Sequence, residues 1–256
     1  MAPAQVVRRV LVTGGGRGLG AAIVKALAAA GHDVTFTYRS SGDAAEAAAK
    51  ALAAGYPGQR FAALRVDLSD RDAVAAFTAE LADDAHYDGF VHNAGHTYDA
   101  LAMMMDQAKA EVAMQVNYWS FTRLVNALVR PMMRARHGRV AVIGSVTALQ
   151  ANQGNAAYAA SKAALLAYAR TLAIEVARTG VTVNYVAPGF IDTEMLAPYA
   201  KFRDTMESQI PARRFATPEE IASVVAFLMS PAASYVTGAV LPVDGGLSAS
   251  LGVHRS

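Results

Sequence analysis

Short β-branched runs alternate with longer alanine-rich stretches along almost the whole chain. Such alternation is typical of a parallel sheet with helices on both faces, whose doubly buried strands are nearly continuous apolar runs. The sequence therefore predicts an α/β, doubly wound fold with a seven-stranded parallel sheet. The predicted strands are residues 9–13, 33–38, 61–66, 89–92, 139–144, 181–186 and 239–243.

The amphipathic stretches between these runs are predicted helices. Ser69 before Asp72, and Thr217 before Glu220, match the pattern of an N-cap followed by an acid at the third helical position. Pro218 stands at a first helical position, where its missing N–H costs nothing. The predicted helices are residues 20–30, 44–54, 71–83, 106–136, 157–178, 200–208 and 218–229.

The composition excludes several classes of function. The chain has 256 residues, 54% hydrophobic and 17% charged, and its formal charge is +2. One domain over residues 1–256 is expected, and so small a charge argues against a nucleic-acid or anionic membrane surface. The absence of cysteine excludes disulfides, zinc ribbons, iron–sulfur clusters and thiol catalysis, and we predict no metal site.

Two segments bear on location. Residues 1–9 run directly into a predicted strand, without the apolar stretch and cleavage site of a secretion signal. The uncharged run 221–243 is long enough to span a bilayer, but it contains two prolines and Gly238. We interpret it as helix, turn and buried strand, and we expect a cytoplasmic protein.

A glycine-rich turn, Thr13-Gly14-Gly15-Gly16-Arg17-Gly18-Leu19-Gly20, separates the first predicted strand from its helix. Such a turn directs free N–H groups and the positive end of the helix dipole towards an anion, which predicts pyrophosphate binding. A tight turn without a ligand is the alternative. Gly16-x-Gly18-x-x-Ala21 also satisfies the dinucleotide fingerprint, so spacing leaves the register open. No Lys-Ser/Thr pair follows Gly20, which excludes a phosphate loop.

The end of the second predicted strand indicates which nucleotide binds. An acid there usually holds a free 2′-hydroxyl, but Tyr38-Arg39-Ser40 contains no carboxylate. Arg39 and Arg17 together suit a 2′-phosphate, which favours NADP over NAD. The alternative is two solvated arginines. Asp67 is a candidate acceptor for the adenine amino group or, equally, a turn acid.

Tyr158 and Lys162 share one face of a predicted helix, because four residues separate them. A nearby ammonium group is expected to lower the pKa of the phenol and make Tyr158 a general acid for carbonyl reduction. Ser145 follows the fifth strand, at the edge where doubly wound sheets bind ligands. Asn117 lies within a long predicted helix that an amide disfavours, so we expect a local break exposing a carbonyl to water.

These residues resemble the motifs of the short-chain dehydrogenase/reductase family over essentially the whole chain. Thr13, Gly14, Gly18 and Gly20 resemble its glycine motif, which settles the register. His92-Asn93-Ala94-Gly95 resembles its Asn-Asn-Ala-Gly motif, with His in first place. Asn117, Ser145, Tyr158 and Lys162 match the catalytic tetrad in order and spacing. Pro188-Gly189 with Ile191 and Thr193 resembles the loop over the nicotinamide carboxamide.

The resemblance implies a Rossmann-type domain in which NADPH gives hydride to a carbonyl carbon and Tyr158 gives the proton to its oxygen. It further implies that Lys162 lowers the pKa of Tyr158 and binds the nicotinamide ribose, that Ser145 orients the carbonyl and that Asn117 holds a water. The cofactor-binding residues it implies are Thr13, Gly14, Arg17, Gly18, Leu19, Gly20, Arg39, Ser40, Asp67, Leu68, Asn93, Ala94, Gly95, Tyr158, Lys162, Pro188, Gly189, Ile191 and Thr193.

Within the family, residues 136–139, 143–146, 183–190, 235–238 and 243–246 resemble 3-oxoacyl-[acyl-carrier-protein] reductases and dissociated polyketide ketoreductases. An acidic carrier protein needs a basic dock, which we expect near the site entrance. Its candidates are Arg130, Arg134, Arg136 and Arg178, although charges complementing a helix end would look the same. The alternatives are a reductase of a free small ketone, sugar or secondary alcohol, and a cofactor-sensing or scaffold protein without chemistry.

A lid is expected at about residues 192–215. Its apolar side chains, and the three methionines at 103–105, are candidates to flank an acyl chain, although ordinary core packing is favoured for both sets. The resemblance also implies a homotetramer. The apolar lid residues are Met195, Leu196, Tyr199, Phe202 and Met206.

Overall fold

The computed structural model describes residues 8–83 and 86–250, and within them seven parallel strands form one sheet in the order β3-β2-β1-β4-β5-β6-β7. This is the predicted doubly wound, Rossmann-type arrangement. Residues 1–7 of the amino-terminal segment considered above lie outside the described residues. The strands are β1 (Arg9–Thr13), β2 (Asp33–Tyr38), β3 (Phe61–Arg65), β4 (Gly89–His92), β5 (Gly138–Ile143), β6 (Val181–Pro188) and β7 (Val240–Val243).

Helices cover both faces of the sheet, as predicted. Phe90 and Val91 are consecutive in β4 but pack into different apolar clusters, because side chains alternate across a strand. In the described residues the α-helices are α1 (Gly18–Ala29), α2 (Gly42–Gly55), α3 (Arg71–Asp83), α4 (Gln107–Met114), α5 (Ser120–Arg134), α6 (Ala156–Val176), α7 (Arg203–Gln209) and α8 (Pro218–Met229). One cluster joins the sheet to α3, α5 and α6, and the other joins it to α1 and α8.

The single helix predicted at 106–136 is wrong. A π-helical segment, Gln115–Trp119, separates α4 from α5, so the break expected at Asn117 is present. The helix predicted at 200–208 is present as α7 from Arg203 onward, and the 3-10 segment Glu194–Phe202 takes the place of its first turn.

Helix α8 begins with the predicted capping box. Thr217 accepts from the backbone of Glu220, and the Glu220 side chain accepts from the backbone of Thr217. The cap predicted for α3 is wrong, because Asp70 accepts from the N–H groups of that helix. The Ser69 hydroxyl donates to Asp67 instead.

The uncharged run 221–243 forms most of α8, a short 3-10 turn and β7, as interpreted from its prolines. In the part of the chain that the structure describes, no helix combines the length and apolar character needed to cross a bilayer.

The strand order reverses beside β1. This strand pairs with β2 on one side and with β4 on the other, and Thr13 at its end lies opposite His92 at the end of β4. Connections leaving β1 and β4 go to opposite faces, which opens a crevice at their carboxyl ends. The candidate site is built around this crevice.

Candidate active site

The glycine-rich turn enters helix α1 in a shape that suits a phosphate group. Gly18 has φ +53°, and a Cβ at Gly20 would lie 2.0 Å from the Gly14 carbonyl oxygen, so neither position accepts a larger residue without strain. Among the described residues, no side chain caps the first N–H groups of α1. The turn therefore presents free backbone donors and the positive helix end, which fits the pyrophosphate of a dinucleotide.

Four hydrogen bonds from the β4 end secure this turn, and one of them runs from the Asn93 backbone N–H to the Thr13 hydroxyl at 3.1 Å. The Asn93 amide donates to the carbonyl oxygens of Thr13 and Gly14 at 3.1 and 3.0 Å. The backbone N–H of Ala94 donates to the Thr13 hydroxyl at 3.1 Å. A Cβ at Gly95 would lie 3.7 Å from both Asn117 Oδ1 and Lys162 Nζ. The segment Asn93-Ala94-Gly95 therefore extends from the glycine turn to the candidate catalytic residues.

His92 links the same turn to the π-helical segment. Its Nδ1 lies 3.1 Å from the Thr13 hydroxyl and its Nε2 lies 3.3 Å from the Asn117 carbonyl oxygen. The ring has no exposed surface, and burial together with the charge of Lys162 lowers its pKa to about 3. Because a carbonyl only accepts, the neutral ring is assigned with its proton on Nε2, and the Thr13 hydroxyl donates to Nδ1.

The Asn117 side chain is fixed on two sides. Its Oδ1 accepts from the His96 backbone N–H at 2.8 Å, and its Nδ2 donates to the His96 carbonyl at 3.0 Å. Nδ2 also donates at 2.8 Å to the hydroxyl of Ser161, which in turn donates to the Tyr158 carbonyl. The π-helical break thereby connects the β4 loop to α6, a role of Ser161 that the sequence analysis missed.

The Tyr158 phenol lies close enough to the Ser145 side chain for that side chain to influence its pKa. The dense surroundings of the phenol raise its pKa to about 12, the contact with Ser145 opposes this shift, and the charge of Asp99 adds to it. Part of the Tyr158 side chain still reaches solvent. The expected lowering of this pKa by Lys162 is therefore wrong for this structure, because the cost of burying a phenolate prevails.

Lys162 bonds to the end of the sheet and lies over the Tyr158 ring. Its Nζ donates to the Ile143 carbonyl oxygen at 2.8 Å and lies 5.7 Å from the centroid of the Tyr158 ring. The side chain is 2% exposed, and burial lowers its pKa to about 8. The predicted helical spacing is correct, but spacing alone does not specify where the ammonium group points.

Arg39 and Ser40 are exposed at the end of β2, at the carboxyl edge of the sheet. Asp67 Oδ1 accepts from the backbone and hydroxyl of Ser69 at 2.9 and 2.6 Å, so this acid stabilises a turn, as one of its two interpretations predicts. These bonds lower the pKa of Asp67, and the charge of Arg39 contributes. The neighbouring Leu68 is buried, and its carbonyl accepts from the Gln115 amide.

The segment after β6 returns to the glycine turn. Gly189 donates its N–H to Val243, and Ile191 forms an isolated bridge with Ala216. Thr193 then approaches the turn, since a Cβ at Gly18 would lie 3.7 Å from the Thr193 methyl carbon. Pro188 is the last residue of β6.

An ion pair continues the contact between this segment and the turn. Arg17 Nη1 lies 3.3 Å from Glu194 Oε2, and both side chains are largely exposed. The carboxylate of Glu194 thus occupies the guanidinium group that the sequence assigned to a 2′-phosphate.

A second contact links this segment to the loop after β4. The Tyr199 hydroxyl donates to Asp99, which also accepts from the Asn155 amide just before α6. Core packing is the wrong interpretation for the most exposed apolar candidates, because Phe202 is 51% exposed and Met103 is 91% exposed. Met104, Met195 and Tyr199 are also exposed.

The basic cluster lies at the opposite edge of the sheet from Ser145. Arg136 follows α5 and precedes β5, and its guanidinium donates to the Arg178 carbonyl at 3.3 Å. Ser145 comes after the six-residue β5, whose length is about 20 Å. The expected position of Arg130, Arg134, Arg136 and Arg178 beside the entrance to this chain's own site is therefore wrong.

Comparison with known proteins places the chain among reductases. A family model described as enoyl-(acyl carrier protein) reductase matches residues 14–248. A 3-oxoacyl-[acyl-carrier-protein] reductase, MabA of Mycobacterium tuberculosis, is 42% identical over 247 residues, which are 96% of this chain and 94% of that protein. The FabG protein of Escherichia coli, of the same named activity, is 41% identical and covers 93% of this chain and 96% of its own length.

Solved structures agree with the fold. A protein from Beutenbergia cavernae, provisionally named an NAD(P)-dependent gluconate 5-dehydrogenase and solved with NADP at low occupancy, has a TM-score of 0.90 and 36% identity. The alignment covers 96% of this chain and 98% of that chain. A short-chain dehydrogenase/reductase from Serratia marcescens has a TM-score of 0.86 and 35% identity, with 94% and 98% covered.

Proposed function

The chain belongs to the short-chain dehydrogenase/reductase family, and from this premise we propose that it reduces a 3-oxoacyl thioester to the 3-hydroxyacyl thioester with NADPH. We propose that the acyl group is carried by an acyl carrier protein, in fatty acid or polyketide-type biosynthesis. The named activity of relatives at 41 and 42% identity over nearly the full chain supports the substrate class. The NADP in the Beutenbergia cavernae structure supports the cofactor.

One observation carries the proposal. Asn117 is joined through Ser161 to the helical turn that bears Tyr158, and the Tyr158 phenol lies beside the Ser145 side chain. These groups lie at the carboxyl edge of the sheet, beside the glycine turn. A proton donor, a second hydroxyl and a buried amine thus converge where a nicotinamide would lie if its pyrophosphate bound that turn.

The protein residues then have distinct tasks. When bound, the nicotinamide supplies the hydride. Ser145 donates a hydrogen bond that orients the substrate carbonyl, and Tyr158 gives its proton to the carbonyl oxygen. Lys162 holds the nicotinamide ribose, while the second lone pair of the Asn117 carbonyl holds a water.

For the nucleotide itself, we propose that Arg39 and Arg17 bind the 2′-phosphate and that Asp67 accepts from the adenine amino group. Arg17 would have to leave Glu194 to do so. The glycine turn takes the pyrophosphate, and the segment at 192–215 acts as the lid. The remaining proposed contacts come from Thr13, Gly14, Gly18, Leu19, Gly20, Ser40, Leu68, Asn93, Ala94, Gly95, Pro188, Gly189, Ile191 and Thr193.

A second candidate function is oxidation or reduction of a free sugar acid or small secondary alcohol. It is favoured by the TM-score of 0.90 to a protein named as a gluconate 5-dehydrogenase.

One assay separates the two functions. NADPH consumption is followed with 3-oxoacyl thioesters on carrier protein and on a small thiol, in parallel with free ketones and 5-ketogluconate. Thioester turnover exceeding that of every free ketone supports the first proposal. Turnover of free ketones alone would overturn it in favour of the second, and the absence of any turnover would overturn both.

We also propose a cytoplasmic homotetramer in which residues 1–256 form one domain. The carrier protein, which is acidic, would dock on Arg130, Arg134, Arg136 and Arg178. That surface lies about 20 Å from Ser145 of the same chain. A thioester tethered there would have to use a long flexible arm or a site on another subunit.

A further inference from the structure

Tyr185 is a buried tyrosine in strand β6, and its hydroxyl lies between two residues of the proposed catalytic set. Only 1% of its surface is exposed. The Ser145 backbone N–H donates to the Tyr185 hydroxyl oxygen at 3.1 Å, and this hydroxyl donates to the Lys162 carbonyl oxygen at 3.2 Å. A single oxygen atom therefore joins the end of β5 to helix α6.

The ring is held in place by the absence of a side chain at Gly144. A Cβ there would lie 1.7 Å from Tyr185 Cζ and 2.0 Å from its hydroxyl oxygen. The Gly144 N–H donates to the Val186 carbonyl at 2.8 Å, so the backbone cannot move aside without loss of strand pairing. The Tyr185 ring can therefore occupy this position only because residue 144 is a glycine.

Lys162 is tied to this region at both ends. Its ammonium group donates to Ile143, and its carbonyl accepts from Tyr185. Ile143 and Ser145 flank Gly144, so three consecutive residues at the end of β5 are fixed relative to α6. Tyr185 was not among the residues predicted from the sequence, although a phenol in a buried strand signals that its hydroxyl needs a partner.

We propose that Tyr185 is a positioning residue for the carbonyl reduction, which holds Ser145 and Lys162 at a fixed separation across the gap between β5 and α6. This inference rests on the proposed function. Tyr185 acts through its two partners rather than on substrate or cofactor. A ring that only filled the core would need no hydroxyl, and phenylalanine would serve equally well.

The first test compares Tyr185→Phe with Tyr168→Phe. Both changes remove one hydroxyl and keep the ring, and Tyr168 lies on α6 in an aromatic cluster with Phe121 and Tyr118. We expect kcat of Tyr185→Phe to fall about tenfold, since misplaced catalytic groups lose rate steeply, while KM changes less than about twofold. The control should keep its kcat. Equal kcat in Tyr185→Phe and wild type would overturn the proposal.

A double-mutant cycle separates positioning from general loosening of the fold. If Tyr185 acts through Ser145, its loss should cost less in a Ser145→Ala background, about two- to threefold instead of about tenfold. An unchanged tenfold loss in that background would show that the effect does not pass through Ser145, and would overturn this part of the proposal.

The hydrogen bond itself can be tested without turnover. In protein labelled with ¹⁵N-serine, the Ser145 amide should exchange its hydrogen at least about tenfold faster in Tyr185→Phe than in wild type or Tyr168→Phe. Unchanged exchange would show that the link is not made. If the wild type reduced no carbonyl, the proposed function would fail, and this measurement would still decide whether Tyr185 holds Ser145.

Discussion

The Nε2 atom of His92 lies 3.3 Å from the carbonyl oxygen of Asn117, at the π-helical segment between α4 and α5. The family motif that the sequence resembles has asparagine in place of this histidine. The imidazole ring reaches the Thr13 hydroxyl with its other nitrogen. One buried ring therefore joins the strand before the glycine turn to the residue proposed to hold a water.

Replacing this ring should cost both stability and activity. His92→Phe leaves the Thr13 hydroxyl and the Asn117 carbonyl short of a partner, so we expect the free energy of unfolding to fall by about 3 kcal/mol. We also expect kcat to fall about tenfold as the Asn117 carbonyl shifts. Urea unfolding and steady-state kinetics measure the two effects. His92→Asn, which restores the motif residue, should lose less of each, and a fully stable and active His92→Phe would contradict the proposed linkage.

The buried histidine also predicts acid sensitivity. An unfolded histidine has a pKa near 6.5, whereas burial lowers that of His92 to about 3. Between these values the unfolded chain binds a proton that the folded chain does not, so stability falls as pH drops below about 6.5. The slope is at most about 1.4 kcal/mol per pH unit for this residue. Urea unfolding at pH 5, 6 and 7 should show a shallower slope for His92→Asn, and parallel slopes would refute the assignment.

Tyr158→Phe should nearly abolish turnover. Burial raises the pKa of the phenol to about 12, so Tyr158 carries its proton at neutral pH, as a general acid requires. Loss of the hydroxyl should lower kcat about 10³-fold, while fluorescence titration should show NADPH affinity within about twofold of wild type. Tyr168→Phe is the matched control on the same helix. Substantial activity in Tyr158→Phe would require another proton donor.

The apolar pattern predicted the sheet well. The bounds of β1, β2 and β4 match because each apolar run ends at a polar or glycine residue that starts the next turn. The long helix at 106–136 was wrong because its break depends on a contact with His92, which is distant in sequence. The Asn117 amide did predict the location of that break.

The site was less predictable than the fold. Motif order identified Ser145, Tyr158 and Lys162, but the direction of the Lys162 ammonium group depends on the Ile143 carbonyl, which spacing cannot reveal. Tyr185 was missed because its role comes from strand pairing that brings it beside Gly144. Such roles arise from tertiary contacts between segments that carry no common motif.

Cofactor choice should depend on Arg39. Arg39 is exposed, and it lies close enough to Asp67 for its positive charge to help lower the pKa of that carboxyl group. This position fits a site for the adenosine end of a nucleotide. Arg39→Asp should weaken NADPH binding about 30-fold and NADH binding about threefold or less, because only NADPH carries the 2′-phosphate. Arg65→Asp is the control, since Arg65 also acts on Asp67 from the neighbouring strand. Equal losses for both nucleotides would contradict the 2′-phosphate role.

Charge reversal at Arg136 tests the proposed dock at the far edge of the sheet. Arg136 is exposed and contacts the Arg178 backbone, so Arg136→Glu changes the cluster's charge by two units without entering the catalytic pocket. For an acidic carrier, KM should rise about tenfold, while a 3-oxoacyl group on a small thiol should keep both kcat and KM. The rise in KM should shrink at high salt, because exposed charges are screened.

The control is Lys50→Glu on α2, which makes the same charge change elsewhere and should affect neither substrate. Equal effects of Arg136→Glu on both thioesters would indicate a local structural change, and no effect on either would exclude this surface as the dock.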